Sequence, residues 1–135
     1  LMAVFGAPLA LADPCGAAVR AAIDMIEMIE LFNREPDRVG KPALAIGIGI
    51  ASGDVIAGYT GTQQRATYTC VGTAVNLAAR LEAHTKTVHR PILICGDTRA
   101  AVATGFNIEP LGPTRLNGMS QPVEVFCLDR APKSA

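Results

Sequence analysis

Asn76 and Arg80 stand four residues apart in a stretch, TAVNLAARLEA, that reads as helix, so their side chains share one face about a turn from its start. They could grip one ligand together. The same spacing also suits an ordinary solvated surface pair, and spacing alone leaves both readings open. From Arg65 to Arg99 there are five basic residues, Arg65, Arg80, Lys86, Arg90 and Arg99, against Glu82 and Asp97. Positive charge thus gathers here in a chain whose twelve Lys plus Arg balance twelve Asp plus Glu. No whole-molecule field draws nucleic acid or an anionic membrane surface, and any anion site must be local.

Other candidate constellations read as structure. Thr69 sits in a short β-prone run, where a Thr is ordinary. Cys15, Cys70, Cys95 and Cys127 include no CxxC pair, which argues against a zinc cluster or a redox dithiol and for free buried thiols in a reducing compartment. His84 and His89 lack neighbouring acids or thiols and read as solvated. The glycines Gly47, Gly49 and Gly53 fall inside a strand and before a turn, not at a strand-to-helix junction, so they are not a dinucleotide fingerprint. Met25 and Met28 read as packing or dimer-contact residues on the first helix. With 4% aromatic residues and no Trp, the chain offers few faces on which bases could stack.

The elements that must position these residues follow from periodicity. At 135 residues, 50% hydrophobic and 18% charged, the chain is one globular domain spanning 1–135, without linker or internal repeat. Leu1 to Phe5 is β-prone and apolar, which is how the inside of a domain reads. Ala17 to Phe32 carries Val19, Ala22, Ile23, Ile26, Ile29 and Phe32 at helical spacing. Ala43 to Ala51 predicts a strand with one face of bare backbone at Gly47 and Gly49, turning at Ser52-Gly53-Asp54 into Val55–Gly58 as a β-hairpin. Tyr68–Val71 predicts a further strand, and Thr73 a cap for a helix from Ala74 to His84. Pro91–Cys95 reads as a buried strand, with Asp97 capping a brief helix that ends before Gly105. Strands around Asn107–Leu111 and Val123–Leu128 flank a turn at Arg115–Gly118, and the tail after Arg130 should fray. The fold class is α+β, with a mainly antiparallel sheet covered by helices on one face. No apolar stretch approaches the ~20 residues of a membrane span, so this segment should make no direct membrane contact.

The stretch GYTGTQQRATYTCVGTAVNLAARLE, Gly58 to Glu82, resembles the signature of class III nucleotide cyclases, the adenylate and guanylate cyclase catalytic domain. MAVFGAP at Met2–Pro8, AAVRAAIDM, IGIGIASGDVIAG and RLNGMSQPVEVF follow in that family's order and spacing, so the resemblance covers nearly the whole chain. It implies a ferredoxin-like, palm-type fold, N-terminally truncated here because the chain starts inside the domain. It implies that Asn76 holds the ribose of the nucleotide and that Arg80 stabilises charge on the α-phosphoryl group as the ring closes. A guanidinium fork suits that charge. Thr69 falls where the family reads the base edge, and a hydroxyl there matches a bacterial-type adenylate cyclase subgroup, favouring ATP over GTP.

Three positions depart from the family's usual pattern. Thr67 and Thr73 replace two common carboxylates, and Asn117 stands where a Lys often grips the terminal phosphates, with Arg115 close enough in sequence to supply that charge. The aspartates that bind Mg²⁺ or Mn²⁺, and the Lys that reads adenine, are expected upstream of residue 1. No metal ligand is therefore nominated among the residues present, and the segment by itself should be inactive. The resemblance further implies a cytoplasmic enzyme, tethered or free through other domains, whose active site is shared across a head-to-tail homodimer. It makes cyclic AMP and pyrophosphate from ATP. The alternative is a catalytically silent module that binds nucleotide or pairs with another cyclase domain.

Overall fold

A computed structural model describes residues 1–102 and 105–132 of the chain. The elements run α1 (Pro14–Asn33), a 3-10 turn (Pro36–Arg38), β1 (Ile48–Ile50), β2 (Ile56–Thr60), β3 (Thr67–Val71), α2 (Thr73–Val88), β4 (Ile92–Cys95), α3 (Gly96–Ala101), β5 (Phe106–Thr114) and β6 (Val123–Pro132). One sheet has the order β1-β4-β6-β5, and β2 pairs with β3 in a separate antiparallel ribbon. β1 is parallel to β4, while β4 and β5 are both antiparallel to β6. The class is α+β and antiparallel-rich. Pro110 and Pro113 lie on β5, an edge strand, where a missing N–H costs least.

Successive residues of a strand point to opposite faces, and this alternation decides where each helix docks. Ile92 and Ile94 of β4, with Phe126 and Leu128 of β6, pack on Val19, Ala22 and Ile26 of α1. Leu93 and Cys95, with Val125 and Cys127, pack instead on Leu77, Leu81 and Val88 of α2. The two long helices therefore cover opposite faces of the sheet rather than one. β4 is apolar at every position because both of its faces are buried.

The expected hairpin across Ser52–Asp54 does not form. β1 pairs with β4 instead, and α2 fills its bare face: a Cβ on Gly49 would overlap the carbonyl of Ala78 and the amide of Glu82, and one on Gly47 the hydroxyl of Thr85. β2 takes β3 as its partner. Leu1–Phe5 carries no strand, since no described segment pairs with it. Thr73 is the first residue of α2 and not its cap; Gly72 takes that position at φ 153°, where a Cβ would press on Asp54 and Val55. Asp97 likewise lies inside α3, behind Cys95. Strand β6 runs through Pro132, beyond the point at which fraying is expected, and residues 133–135 lie outside the described residues.

Helix α1 starts earlier than its apolar periodicity, at an Asp-Pro pair. The carboxylate of Asp13 accepts a hydrogen bond from the Gly16 amide at 3.0 Å, and Pro14 supplies a helical φ where no N–H is needed. Asp13→Ala should lower stability by about 1 kcal/mol, read as an earlier urea midpoint at unchanged slope. An unchanged midpoint would show that the cap contributes nothing. At the other end, Asn33 clasps the backbone of Leu44 through two hydrogen bonds of 2.8 Å each, fixing the approach to β1.

Candidate active site

Helix α2 is the platform of the site. Its buried side, Leu81 and Leu77, is held against β4 and β6, and its backbone rests on the glycine face of β1. That leaves Asn76 exposed and Arg80 half-buried, one turn apart on the same helix. The structure gives neither side chain a hydrogen-bond or ion-pair partner among the described residues.

The guanidinium of Arg80 lies against the turn between β5 and β6. A Cβ on Gly118 would stand 3.4 Å from Arg80 Nη2, 3.5 Å from Nε and 3.7 Å from Cζ, ordinary van der Waals contact, so the guanidinium lies beside this turn. Gly118 has φ +83°, and Met119 donates its amide to the carbonyl of Leu116 at 3.1 Å, closing a tight turn. Leu116 is buried and pins that turn to the α2 face of the sheet. Arg115 and Asn117, on either side of Leu116, are exposed. Because β5 ends at Thr114, the two do not share a strand face.

Thr69 is half-buried on β3, and its cross-strand partner is Gly58. A Cβ on Gly58 would meet nothing within 4 Å, so the face carrying Thr69 opens on free space. On the other face Tyr59 and Tyr68 meet edge to face, with ring centroids 5.2 Å apart. The structure thus brings Arg80 to the Asn117–Gly118 turn and puts Asn76 on the same helix, while Thr69 makes no hydrogen bond to them. Sequence reasoning missed Gly118 as the seat of the guanidinium. The Asn-Gly pair did signal a turn, but nothing local indicates what lies over it.

Residues 1–130 match the family model described as the adenylate and guanylate cyclase catalytic domain. The chain belongs to that family. Adenylate cyclase 1 of Rhizobium meliloti (strain 1021) is 29% identical to this cyclase domain over 126 residues, 93% of the chain but 19% of that protein. An adenylate cyclase of Anabaena cylindrica is 40% identical over 81 residues, 57% of the chain and 16% of that protein. The adenylyl cyclase CyaB from P. aeruginosa superimposes with a TM-score of 0.81 at 26% identity, over 96% of this chain and 66% of that one. The guanylate cyclase domain of RhGC from Catenaria anguillulae in complex with GTP gives 0.77 at 28%, over 96% and 66%. The cyclase domain thus spans about a fifth of the length of these curated relatives.

Cyclase domains of this family use divalent metals. Among the described residues no three His, Cys, Asp or Glu side chains gather into a group that could hold a metal ion, so the donors of this segment do not fit one. The thiol of Cys127, on β6 and packed in the cluster beneath α2, has its pKa pushed up by burial, opposed by nearby Arg90 and reinforced by Glu109. No helix among the described residues is long and apolar enough to cross a membrane.

Proposed function

We propose that the protein carrying this cyclase domain is a cytoplasmic adenylate cyclase. The ribose 3′-oxygen of ATP attacks the α-phosphorus, the bond from that phosphorus to the bridging oxygen of the β-phosphate breaks, and pyrophosphate leaves with the displaced electron pair. The 3′-hydroxyl gives up its proton as cyclic AMP forms. Arg80 holds the negative charge that spreads over the phosphoryl oxygens at the transition state, where a planar fork makes two parallel hydrogen bonds. Asn76 orients the ribose, Thr69 meets the adenine edge, and Arg115 with Asn117 faces the terminal phosphates.

The observation that carries this reading is the half-buried guanidinium of Arg80, seated on Gly118 without a carboxylate partner, one turn from Asn76. Its nitrogens keep access to solvent and are free to meet an anionic ligand. The proposed assembly is a head-to-tail homodimer in which two copies share the site, as the family resemblance implies. Mg²⁺ or Mn²⁺ is the proposed cofactor, held by residues outside this segment.

The purified full-length protein, given ATP or GTP with either metal, should make cyclic AMP in clear preference to cyclic GMP. A preference for GTP would remove the base-reading role of Thr69. No cyclic product under any of these conditions would leave the silent-module reading, which the replacement of a phosphate-gripping Lys by Asn117 favours.

A further inference from the structure

Four side chains that the proposed chemistry does not use form a hydrogen-bonded chain at the ends of the parallel strands β1 and β4. Cys15 Sγ lies 3.2 Å from Ser52 Oγ, Ser52 Oγ lies 2.7 Å from Thr98 Oγ1, and Thr98 Oγ1 lies 3.3 Å from Cys95 Sγ. Thr98 is fully buried and Cys95 nearly so. The chain ties the first turn of α1, the segment leaving β1, the end of β4 and α3 to one another. A buried hydroxyl stripped of its partner loses the compensation for its desolvation, so this arrangement is held strongly.

Beyond Ser52 the backbone runs directly against the start of α2. A Cβ on Gly53 would stand 3.3 Å from Ala74 Cβ, and one on Gly72 would stand 3.2 Å from the Asp54 carbonyl oxygen and 3.3 Å from Val55 Cα. The amide of Asn76 donates to the carbonyl of Gly72 at 3.3 Å, the first hydrogen bond of that helix. Thr98 and Ser52 are thus hydrogen-bonded, the Gly53–Val55 backbone passes Ala74 and Gly72 with less than a side chain's room between them, and Gly72 holds the amide of Asn76.

We propose that the Ser52–Thr98 hydroxyl pair positions the first turn of α2, so that these two residues are positioning residues acting on Asn76. The catalytic consequence rests on the reading above in which Asn76 orients the ribose; the structural coupling does not. Thr98→Val keeps the shape and removes the hydroxyl, whereas Thr98→Ser keeps the hydroxyl.

In the full-length protein, hydrogen–deuterium exchange should quicken about threefold or more at residues 76–79 in Thr98→Val, with residues 84–88 of the same helix unchanged. Thr98→Ser should restore the unsubstituted rate at 76–79. Turnover should follow the same pattern, with kcat falling about tenfold in the valine variant and staying within about twofold in the serine variant, as expected when a substrate-orienting group is displaced slightly. Equal quickening along the whole helix would indicate general loss of stability and overturn the proposal. It would equally be overturned by no change at 76–79, by a serine variant that behaves like the valine one, or by quickened exchange with undiminished kcat. If the unsubstituted protein makes no cyclic nucleotide, the enzymatic reading fails, and the exchange comparison alone still decides whether the hydroxyl pair holds the helix.

Discussion

Arg80→Ala in the full-length protein should lower kcat by roughly 10²-fold or more while KM for ATP moves little, because a donor aimed at charge that develops only in the transition state contributes little to ground-state binding. The structure explains why folding should survive. The guanidinium rests on Gly118, which has no side chain to lose packing, and it has no ion-pair partner that its removal would strand. Removal should therefore cost under about 1 kcal/mol, within the range of ordinary surface substitutions. Arg80→Lys should recover only part of the rate, since an ammonium keeps the charge and loses the planar fork. Steady-state kinetics paired with thermal unfolding of the same samples decides it. Near-normal turnover in the alanine variant, or a loss matched by unfolding, would remove Arg80 from the chemistry.

The second large effect is expected at Gly49, far from any ligand. Its missing side chain lets β1 lie directly on the backbone of α2 between Ala78 and Glu82, which brackets Arg80; a Cβ there would also stand 2.8 Å from the Cβ of Leu81, a fully buried residue. Backbone cannot swing aside as a flexible side chain can. Gly49→Ala must therefore shift α2 or push β1 off β4, at a cost of about 2 kcal/mol or more in overpacking, and must move Arg80 relative to the Leu116–Met119 turn. Both stability and kcat should fall. Gly58→Ala is the matched control for stability, since a Cβ there meets nothing within 4 Å and the substitution should leave the urea midpoint near its original value. Urea unfolding of the pair and turnover of Gly49→Ala test this, and equal urea midpoints for the two variants would mean that α2 is not seated as described.

The helix boundaries illustrate how local signals are overtaken by neighbours. Apolar periodicity found the body of α1, but its first turn is set by Asp13 and Pro14, which carry no periodicity at all. Thr73 has a good capping side chain, yet Gly72 occupies the cap because only a residue without a Cβ fits beside Asp54 and Val55 at that φ. The turn residues Ser52-Gly53-Asp54 predict a hairpin, but the chain only bends at Gly53 and the strands on either side belong to different sheets. Strand pairing is a competition among all available edges, and a turn decides it only when no longer-range partner packs better.

By itself the sequence determined the family, through several separated segments in one order, and with it the α+β class, the helix carrying Asn76 and Arg80, and the strand carrying Thr69. These are properties of spacing along the chain, which folding does not alter. The tertiary structure alone decided that β1 joins β4, that α1 and α2 take opposite faces of the sheet, and that Arg80 rests on Gly118. Each of these depends on which surfaces are complementary across long stretches of chain. Gly47 and Gly49 announce a bare face but not its occupant, and Gly118 announces a turn but not the guanidinium above it. Glycine serves a close neighbour at Gly49 and a positive φ at Gly118; what lies against each is fixed when the whole core closes.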